Sequence, residues 1–383
     1  MARKLFSGQI IKVALTGGGT GGHIFPLIAI LRELSEMVGK DVFIEPIFFG
    51  PDDFSLKVFK KEGIPGKKII SAKFRRYFDL RNIFIPFKLF FGFLQSLWHL
   101  YFFMPDILIS KGGYGSLPLV LAAFFYRIPI LIHESDSVPG LTTIITAKFA
   151  KRIGVSFEET LKFFPKKKVF LAGNPIRFKK KPEISQEEAK EKFSLRKDKP
   201  LVLFLGGSQG ASSLNDFVLN LLPLLIGEEI QVLHQTGDKE FESIKGRARI
   251  VLTDFSQEER KLYRPVGFLD ERSYALALTA ADLVFSRAGS GVIFEIAFFG
   301  KPSILVPYPW ASRNHQEINA LEYSQNKAAV IIKQKNLLPH LVLAEIKKIL
   351  SSPEKIEEMS QAASNFAKPE AAKIISQEAI LLI

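Results

Sequence analysis

The sequence predicts an α/β protein of two doubly wound parallel-sheet domains, and three observations lead to that class. The chain has 383 residues, which is more than one hydrophobic core usually serves. Short apolar runs alternate with longer helical stretches in both halves, as in strand–helix–strand units with right-handed crossovers. Glycine-rich turns follow three of these runs. With 47% hydrophobic and 24% charged residues, the composition is that of a globular protein.

Ten apolar runs are predicted as strands, because continuous Val, Ile, Leu and Phe residues are typical of strands buried on both faces of a parallel sheet. The runs of the first half are Ile11–Leu15, Val42–Phe49, Asp106–Ser110, Pro129–His133 and Lys168–Ala172. The runs of the second half are Leu201–Leu205, Ile230–Gln235, Asp282–Ser286, Ser303–Val306 and Ala328–Ile332.

The two halves meet near Gly173-Asn174-Pro175, and a charged, polar segment over Phe178–Lys199 follows as a linker that runs into a surface helix. We therefore predict a first domain over residues 1–175 and a second over residues 176–355. Apolar residues recur at helical spacing from Pro353 onward. Residues 356–383 are accordingly predicted as a C-terminal helix that packs back on one of the domains, with the first as the candidate.

The net charge of +13 is concentrated in the first half of the chain. Residues 57–88 contain ten Lys and Arg against two acids, and residues 162–181 contain eight and no acid. Such clusters attract anionic lipid, nucleic acid or a phosphorylated substrate, and charge alone does not choose among them. The absence of cysteine excludes thiolate catalysis, zinc–thiolate sites and disulfides. No secretory signal is evident at the N-terminus, which favours a cytoplasmic location.

The segment Ile83–Met104 is almost wholly apolar and holds seven of the 35 Phe residues, together with Trp98 and Tyr101. Pro86, Lys88 and other polar residues interrupt it, and it lies between two strands of one predicted sheet. We predict a crossover helix whose aromatic face, next to the basic cluster, lies at a membrane interface. An ordinary core helix is the alternative.

The glycine-rich turns are 17–22, 112–115 and 206–210, each between a predicted strand and a predicted helix. Glycines bring bare N–H groups onto a phosphate, and the helix start adds positive potential. Gly17, Gly19 and Gly22 also satisfy the dinucleotide-binding pattern, but the acids that should end the second strand, Asp52 and Asp53, come late. His23 directly follows the first turn, where a neutral imidazole can act as a general base.

Taken in order, the motifs of this chain resemble the MurG family of UDP-GlcNAc:lipid I N-acetylglucosaminyltransferases of peptidoglycan synthesis. The motifs are Gly18–His23 with Pro26, Lys111–Tyr114, His133-Glu134, Gly173–Arg177, Gly206–Gly210, Arg287-Ala288-Gly289 with Glu295, and His315-Gln316 with Asn319-Ala320. The resemblance implies a GT-B fold of two Rossmann-like domains facing a cleft, with the acceptor on the first and the donor on the second. It also implies an inverting reaction without metal or other cofactor, no nucleic-acid partner, and peripheral attachment of the first domain to the anionic cytoplasmic face of the cell membrane.

The resemblance also implies the site residues. His23, Asp136 and Glu134 are the catalytic candidates, and Gly112, Gly113 and Tyr114 are expected to meet the acceptor pyrophosphate. Glu295 is expected on the ribose hydroxyls, and Gln316 on the donor sugar with His315 beside it. The remaining residues expected to bind UDP-GlcNAc are Thr20, Gly21, Gly22, Asp136, Arg177, Ser208, Leu269, Ser290, Gly291, Val292, Ile293 and Phe294.

Two positions depart from the family pattern. The family usually has His-Glu-Gln-Asn where this chain has His133 to Asp136, so an amide has become an acid that can share the base role with His23. Val292 stands where a threonine is common, so backbone N–H groups must hold more of the diphosphate. The alternatives are a GT-B transferase that glycosylates diacylglycerol, a dinucleotide-dependent oxidoreductase, and a catalytically inactive protein that binds membrane or nucleic acid.

Overall fold

The computed structural model describes residues 8–18, 21–39, 41–72, 83–206 and 212–383. The chain divides into two compact units, each built around its own parallel sheet. The first unit is Met1–Arg177 together with Lys368–Ile383, and the second is Phe178–Ala367. The last sixteen residues therefore belong to the first unit although the second separates them from it along the chain.

The first unit contains a seven-stranded sheet in the order β3-β2-β1-β4-β5-β6-β7, with every described pairing parallel. Its strands are β1 (Ile10–Thr16), β2 (Phe43–Gly50), β3 (Gly66–Lys68), β4 (Ile107–Ser110), β5 (Ile130–Glu134), β6 (Arg152–Val155) and β7 (Val169–Leu171). The central strands are buried on both faces, as their continuous apolar sequences require.

Helices cover both faces of the first sheet and enclose two apolar clusters. They are α1 (Gly21–Met37), α2 (Asp53–Lys61), α3 (Ile85–Phe103), α4 (Leu117–Phe125), α5 (Leu141–Thr146) and, from the end of the chain, α15 (Ala371–Ile380). Helix α15 packs on α1 through Ile375 and Ala379, which are fully buried with the β1 side of the core. Arg152 of β6 also makes a bidentate ion pair with Glu378, with N–O distances of 2.6 and 2.7 Å.

The second unit contains a six-stranded parallel sheet in the order β10-β9-β8-β11-β12-β13. Its strands are β8 (Leu201–Leu205), β9 (Gln231–Gln235), β10 (Tyr263–Val266), β11 (Leu283–Ser286), β12 (Ser303–Leu305) and β13 (Ala329–Ile331). Its helices are α6 (Gln186–Lys192), α7 (Ser212–Gly227), α8 (Phe241–Val251), α9 (Gln257–Arg260), α10 (Glu271–Ala280), α11 (Ser290–Phe299), α12 (His315–Gln325), α13 (Pro339–Leu350) and α14 (Pro353–Phe366).

The predicted fold class is confirmed, and all ten predicted strands are present within one or two residues of their expected bounds. The structure adds three strands, β3, β6 and β10, that the sequence did not predict. Where one C-terminal helix was expected over residues 356–383, the chain forms two: α14 packs on α11 of the second unit, and α15 on α1 of the first.

Both sheets reverse their strand order at a central pair, β1 and β4 in the first unit and β8 and β11 in the second. In an open parallel sheet, the loops that leave two such strands diverge to opposite faces and open a crevice at the carboxyl edge. Gly17 and Gly18 leave β1, and the segment after Ser110 leaves β4. In the second unit, Gly206 leaves β8 and Arg287 leaves β11. The predicted glycine turns therefore lie where such sheets bind ligands.

Candidate active site

Two groups of residues form the candidate site, one at the carboxyl edge of each sheet. The first-sheet cluster consists of His23, Lys111–Tyr114 and the segment Glu134–Asp136, and the second-sheet cluster consists of Arg287–Val292 with His315, Gln316 and Asn319. Each cluster is formed by residues far apart in sequence that neighbouring parallel strands bring to one edge.

The turn after β4 requires glycine at two successive positions. Gly112 and Gly113 have φ angles of 73° and 82°, in the left-handed region that side chains disfavour. A Cβ on Gly112 would lie 2.8 Å from Oγ1 of Thr143, and one on Gly113 would lie 3.2 Å from the carbonyl oxygen of Gly18. The turns after β1 and β4 therefore approach each other more closely than side chains would allow.

His23 lies in the first turn of α1, beside the β4 turn. Its Nδ1 is 3.0 Å from the carbonyl oxygen of Lys111, which can only accept a hydrogen bond. In the neutral ring Nδ1 therefore carries the proton, and Nε2 carries the lone pair. The first-sheet cluster thus contains an imidazole held in the tautomer that a general base needs at Nε2.

Glu134 is the last residue of β5 and Asp136 lies just after it, but the two carboxylates have different surroundings. The Glu134 carboxylate is buried and accepts hydrogen bonds from the backbone N–H groups of Asp136 and Gly140, both at 3.2 Å. Burial, reinforced by the Asp136 charge, raises the pKa of Glu134. Asp136 is only partly buried. Glu134 therefore holds the shape of the turn, whereas Asp136 is the carboxylate with access to solvent.

Tyr114 and Arg177 are the other expected ligands of the first unit. Tyr114 is partly buried, and this burial, together with the charge of Asp52, raises the pKa of its phenol. The guanidinium of Arg177 stacks over the ring of Phe25 in α1, 4.1 Å from its centroid. Arg177 was expected to contact the UDP-sugar, and the structure places it within the first unit rather than the second.

In the second-sheet cluster, α11 begins without a side-chain cap. Gly289 is its N-cap residue, so the first-turn N–H groups of Ser290, Gly291 and Val292 have no intrahelical acceptor. Gly291 and Val292 are partly exposed. An uncapped helix start at the switch point of the sheet is suited to a diphosphate, because the N–H groups and the helix dipole both favour an anion there.

The residues that follow on α11 have their side chains in the protein core. Ile293 is fully buried, and its N–H already donates to the carbonyl oxygen of Gly289 at 3.1 Å. Phe294 is buried against Phe366. Glu295 is 5% exposed, one turn beyond the uncapped residues. Of the expected α11 ligands, Ser290, Gly291 and Val292 are thus the ones with first-turn N–H groups.

Two side chains hold the loop before α11 in place, and neither was predicted from the sequence to be a ligand. Arg287 is buried and donates to the Val306 carbonyl at 3.3 Å and to Oγ of Ser213 at 2.9 Å. Burial lowers the pKa of Arg287. Asn319 of α12, which is fully buried, donates from Nδ2 to the carbonyl oxygen of Ala288 at 3.3 Å. Both belong to motifs of the family pattern, which was the available signal.

The start of α12 places the two residues expected on the donor sugar. His315 Nδ1 is 2.8 Å from the carbonyl of Ser312, and Gln316 accepts the N–H of Tyr308 through Oε1 at 2.9 Å. The amide nitrogen of Gln316, Nε2, therefore has its two N–H donors directed away from that contact. Leu269, expected among the residues that bind UDP-GlcNAc, has a buried side chain just before α10.

Two expected ligands, Thr20 and Ser208, lie outside the described residues. Within the described residues, no group of three or more His, Asp or Glu side chains is arranged to hold a metal ion.

Models of glycosyltransferase family 28 match both halves of the chain. The N-terminal domain of that family matches residues 13–155, and its C-terminal domain matches residues 201–375. Full-length relatives carry the name UDP-N-acetylglucosamine–N-acetylmuramyl-(pentapeptide) pyrophosphoryl-undecaprenol N-acetylglucosamine transferase. The relative from Listeria welshimeri is 35% identical, over 94% of this chain and 97% of its own. The relative from Bacillus subtilis is 31% identical over the same shares of the two chains.

Solved structures agree with the sequence relatives. The crystal structure of Acinetobacter baumannii MurG is 25% identical and matches with a TM-score of 0.71, over 96% of this chain and 98% of that one. A UDP-GlcNAc 2-epimerase from Neisseria meningitidis, at 11% identity and a TM-score of 0.66 over 97% of this chain and 99% of that one, shares the fold alone.

The two Rossmann-like sheets with ligand edges at their switch points, together with the family matches over both halves, place the chain in the class of GT-B glycosyltransferases that use a sugar nucleotide. The chain belongs to glycosyltransferase family 28 and, within it, to the MurG family of UDP-GlcNAc-dependent transferases.

Proposed function

We propose that this protein transfers N-acetylglucosamine from UDP-GlcNAc to the 4-hydroxyl of N-acetylmuramic acid in lipid I, which gives lipid II for peptidoglycan synthesis. The full-length relatives are named for this reaction. The structural observation that carries the proposal is His23, because its Nδ1 faces the Lys111 carbonyl and leaves Nε2 as the basic nitrogen. A transferase needs such a base for the acceptor hydroxyl.

The donor binds at the second-sheet cluster. The N–H groups of Ser290, Gly291 and Val292 hold the diphosphate, and Glu295 on the same helix accepts hydrogen bonds from both ribose hydroxyls. The side chains of Ile293 and Phe294 are buried in the core and fix the helix. Leu269 contacts the uracil of the nucleotide, and Gln316 contacts its sugar. The N–H groups of Ser290, Gly291 and Val292 also stabilise the negative charge that develops on UDP as it leaves.

The acceptor binds at the first-sheet cluster. The turn at Gly112, Gly113 and Tyr114 meets the lipid pyrophosphate, and His23 Nε2 removes the proton of the sugar 4-hydroxyl. The hydroxyl oxygen then bonds to the anomeric carbon while the bond from that carbon to the UDP oxygen breaks. One such displacement inverts the α-linked donor to a β-linked product.

Of the two acidic candidates at the end of β5, Asp136 is proposed to line the sugar site and to support His23. Glu134 is proposed as a positioning residue, because its buried carboxylate accepts hydrogen bonds from the backbone of its own turn and from the side chain of Thr143 in α5. Thr20, Gly21 and Gly22 precede His23 and are proposed to reach the donor sugar. Arg177 and Ser208 are proposed to add contacts to the UDP phosphates.

The first unit also has a surface suited to peripheral attachment to the cell membrane. The exposed face of α3 presents large apolar side chains at helical spacing, namely Phe87, Phe91, Leu94, Trp98, Tyr101 and Phe102. Its opposite face, with Gly92, Ser96 and Leu100, is buried. No helix in the described ranges has both the length and the apolar character to cross a bilayer. We propose that this face inserts among the headgroups of an anionic membrane, near its lipid-linked substrate.

The proposal is tested by radiolabel transfer from UDP-GlcNAc to lipid I, with diacylglycerol as the competing acceptor and with EDTA in a parallel reaction. We expect label in lipid II, none in a glycosylated diacylglycerol, and the same rate with EDTA. Transfer to diacylglycerol alone would assign a different GT-B activity. Loss of transfer in EDTA would contradict the metal-free mechanism.

A further inference from the structure

Lys111 is a buried lysine whose side-chain ammonium has no part in the reaction proposed above. It directly follows β4 and is 2% exposed. Its ammonium contacts three groups at two other strand ends: Nδ1 of His133 within β5, Oγ of Ser135 just after β5, and Oδ1 of Asn174 after β7, the last at 3.2 Å. The side chain therefore joins the carboxyl ends of three strands at the edge where the acceptor is proposed to bind.

The hydrogen bonds around Lys111 match its charged form. His133 Nε2 lies 2.9 Å from the carbonyl oxygen of Gly173, so that nitrogen is the donor and Nδ1 is left as an acceptor. Ser135 Oγ and Asn174 Oδ1 supply two more acceptors. An ammonium has three protons to donate and no lone pair, so three acceptors satisfy it completely.

The Asn174 amide shows how strongly this contact orients its neighbours. Its Oδ1 faces the ammonium, while its Nδ2 is buried without a hydrogen-bond partner among the described residues. An unpartnered buried N–H group is costly, so the amide orientation follows the lysine contact.

Two carboxylates, Glu134 and Asp136, supply the opposing charge. Burial lowers the pKa of Lys111 to about 7, and the charges of these two residues act against that shift. Burial also lowers the pKa of His133, so this ring remains neutral beside the ammonium. Without the lysine, two acidic side chains would stand two residues apart in a largely buried turn with no cation to offset them.

The backbone of Lys111 has a separate role, because its carbonyl oxygen is the acceptor for His23 Nδ1. One residue thus contacts both proposed elements of the acceptor chemistry: its carbonyl sets the tautomer of the base, and its ammonium holds the turn that carries Asp136. The charged and titratable groups that face this position are His23 from α1 and His133, Glu134 and Asp136 from the end of β5.

We propose that Lys111 is a positioning residue for the acceptor chemistry: its ammonium fixes the turn over Ser135 and Asp136 and offsets the charge of the two carboxylates, while its carbonyl orients His23. The inference rests on the proposed function, in which His23 and Asp136 serve the acceptor hydroxyl.

The test uses Lys111→Met in the full-length protein, with kcat and kcat/KM measured against pH in the transfer assay. The Lys111 ammonium interacts with the charges of Glu134 and Asp136, so its removal favours the protonated forms of these two carboxylates and moves the acidic limb of the profile to higher pH. At neutral pH we expect kcat to fall by about tenfold, with KM for UDP-GlcNAc changed by less than about twofold. Lys301→Met is the matched control. This partly buried lysine of the second unit donates to the Thr279 and Ala281 carbonyls, and its loss should leave the acidic limb unmoved.

A second pair of variants covers the case in which Lys111→Met folds poorly. Lys111→Arg keeps the charge and should keep the wild-type acidic limb. Adding Asp136→Asn to Lys111→Met gives a double variant, which should recover part of the melting temperature lost in Lys111→Met because it removes one uncompensated charge. A wild-type acidic limb in Lys111→Met, or purely additive melting temperatures in the double variant, would overturn the inference. Absence of transfer by the wild-type protein would instead overturn the proposed function.

Discussion

His23 shows how one backbone contact can select the chemistry of a side chain. Its sequence position after a glycine turn indicated a base, but the sequence could not say which ring nitrogen is basic. The carbonyl of Lys111, 88 residues further along the chain, decides this by accepting from Nδ1. Tautomer selection by a backbone carbonyl leaves Nε2 to take a proton.

Replacing His23 therefore tests the base directly. For His23→Ala we expect kcat to fall by about 10²- to 10⁴-fold, the usual contribution of a general base, with UDP affinity unchanged. Transfer kinetics and calorimetry with UDP measure the two quantities. His340→Ala, at an exposed position on α13, is the control and should retain full activity. A His23→Ala enzyme within about twofold of the wild-type rate would exclude the imidazole as the base.

Glu295 permits a similar test at the donor. Glu295→Gln should weaken UDP binding by about 10- to 100-fold, since hydrogen bonds to a charged acceptor contribute about 1.5–3 kcal/mol. The penalty should vanish for 2′,3′-dideoxy-UDP, which lacks both ribose hydroxyls. Glu242→Gln, at an exposed position on α8, serves as the control. An equal penalty for both nucleotides would show that Glu295 acts on the fold and not on the ribose.

Some of the site residues could be predicted from the sequence, and others could not. The glycines and His23 are local to one turn, so their spacing was informative. The contacts of Lys111 with His133 and Asn174 join residues 22 and 63 positions away, and only the sheet order brings them together. A lysine directly after a buried apolar strand was the one available signal. Likewise, nothing in the sequence indicated that the Ile293 N–H is already used within its helix.

Among the elements, strands with continuous apolar sequence were predicted and strands interrupted by polar residues, glycine or proline were missed. The strand β3 is Gly-Lys-Lys at a sheet edge, and β10 contains Arg264 and Pro265 at the other sheet's edge. Edge strands need no continuous apolar sequence, and they tolerate charge and proline. The strand β6 is internal but only four residues long and begins with Arg152. Its sequence, Arg-Ile-Gly-Val, contains no continuous apolar run that would indicate a strand.

The exposed face of α3 is predicted to contact the membrane. Phe91 and Trp98, 56% and 64% exposed, should insert among lipid headgroups. We expect the double variant Phe91→Gln/Trp98→Gln to lose most of its co-sedimentation with phosphatidylglycerol vesicles while keeping its UDP affinity. Ile250→Gln removes an apolar side chain of the second unit that is even more exposed, at 75%, and this variant should sediment like wild type. Equal loss in both variants, or none in the double variant, would contradict the docking face.

For the whole molecule, the notable feature is that the chain returns to its first unit at the end. Helix α15 buries Ile375 and Ala379 against α1, and Ser376 donates to the Ile30 carbonyl at 3.1 Å. The sequence predicted that the end of the chain is helical and packs back, but amphipathic spacing alone does not say against which surface. The break between α14 and α15, which sends the chain from one unit to the other, was not foreseen.

Because α15 packs on α1 in the core of the first unit, we expect this C-terminal helix to stabilise that unit. Ile375→Ala should lower the free energy of unfolding by about 2–5 kcal/mol, because it leaves a cavity in a closed core. Leu381→Ala, at the exposed end of the same helix, should change it by less than about 0.5 kcal/mol. Denaturant unfolding followed by circular dichroism measures both. Equal values for the two variants would mean that α15 contributes little to the core.

The stereochemistry of the product distinguishes a single displacement from other mechanisms of transfer. With His23 as the base and UDP as the leaving group, each transfer must convert the α-linked donor into a β-linked disaccharide with one UDP released. We predict that the anomeric proton of the new GlcNAc residue shows the large coupling constant of a β-linkage and that β-N-acetylglucosaminidase removes the sugar. An α-linked product would require two displacements or a front-side mechanism, and the single-base account would then be wrong.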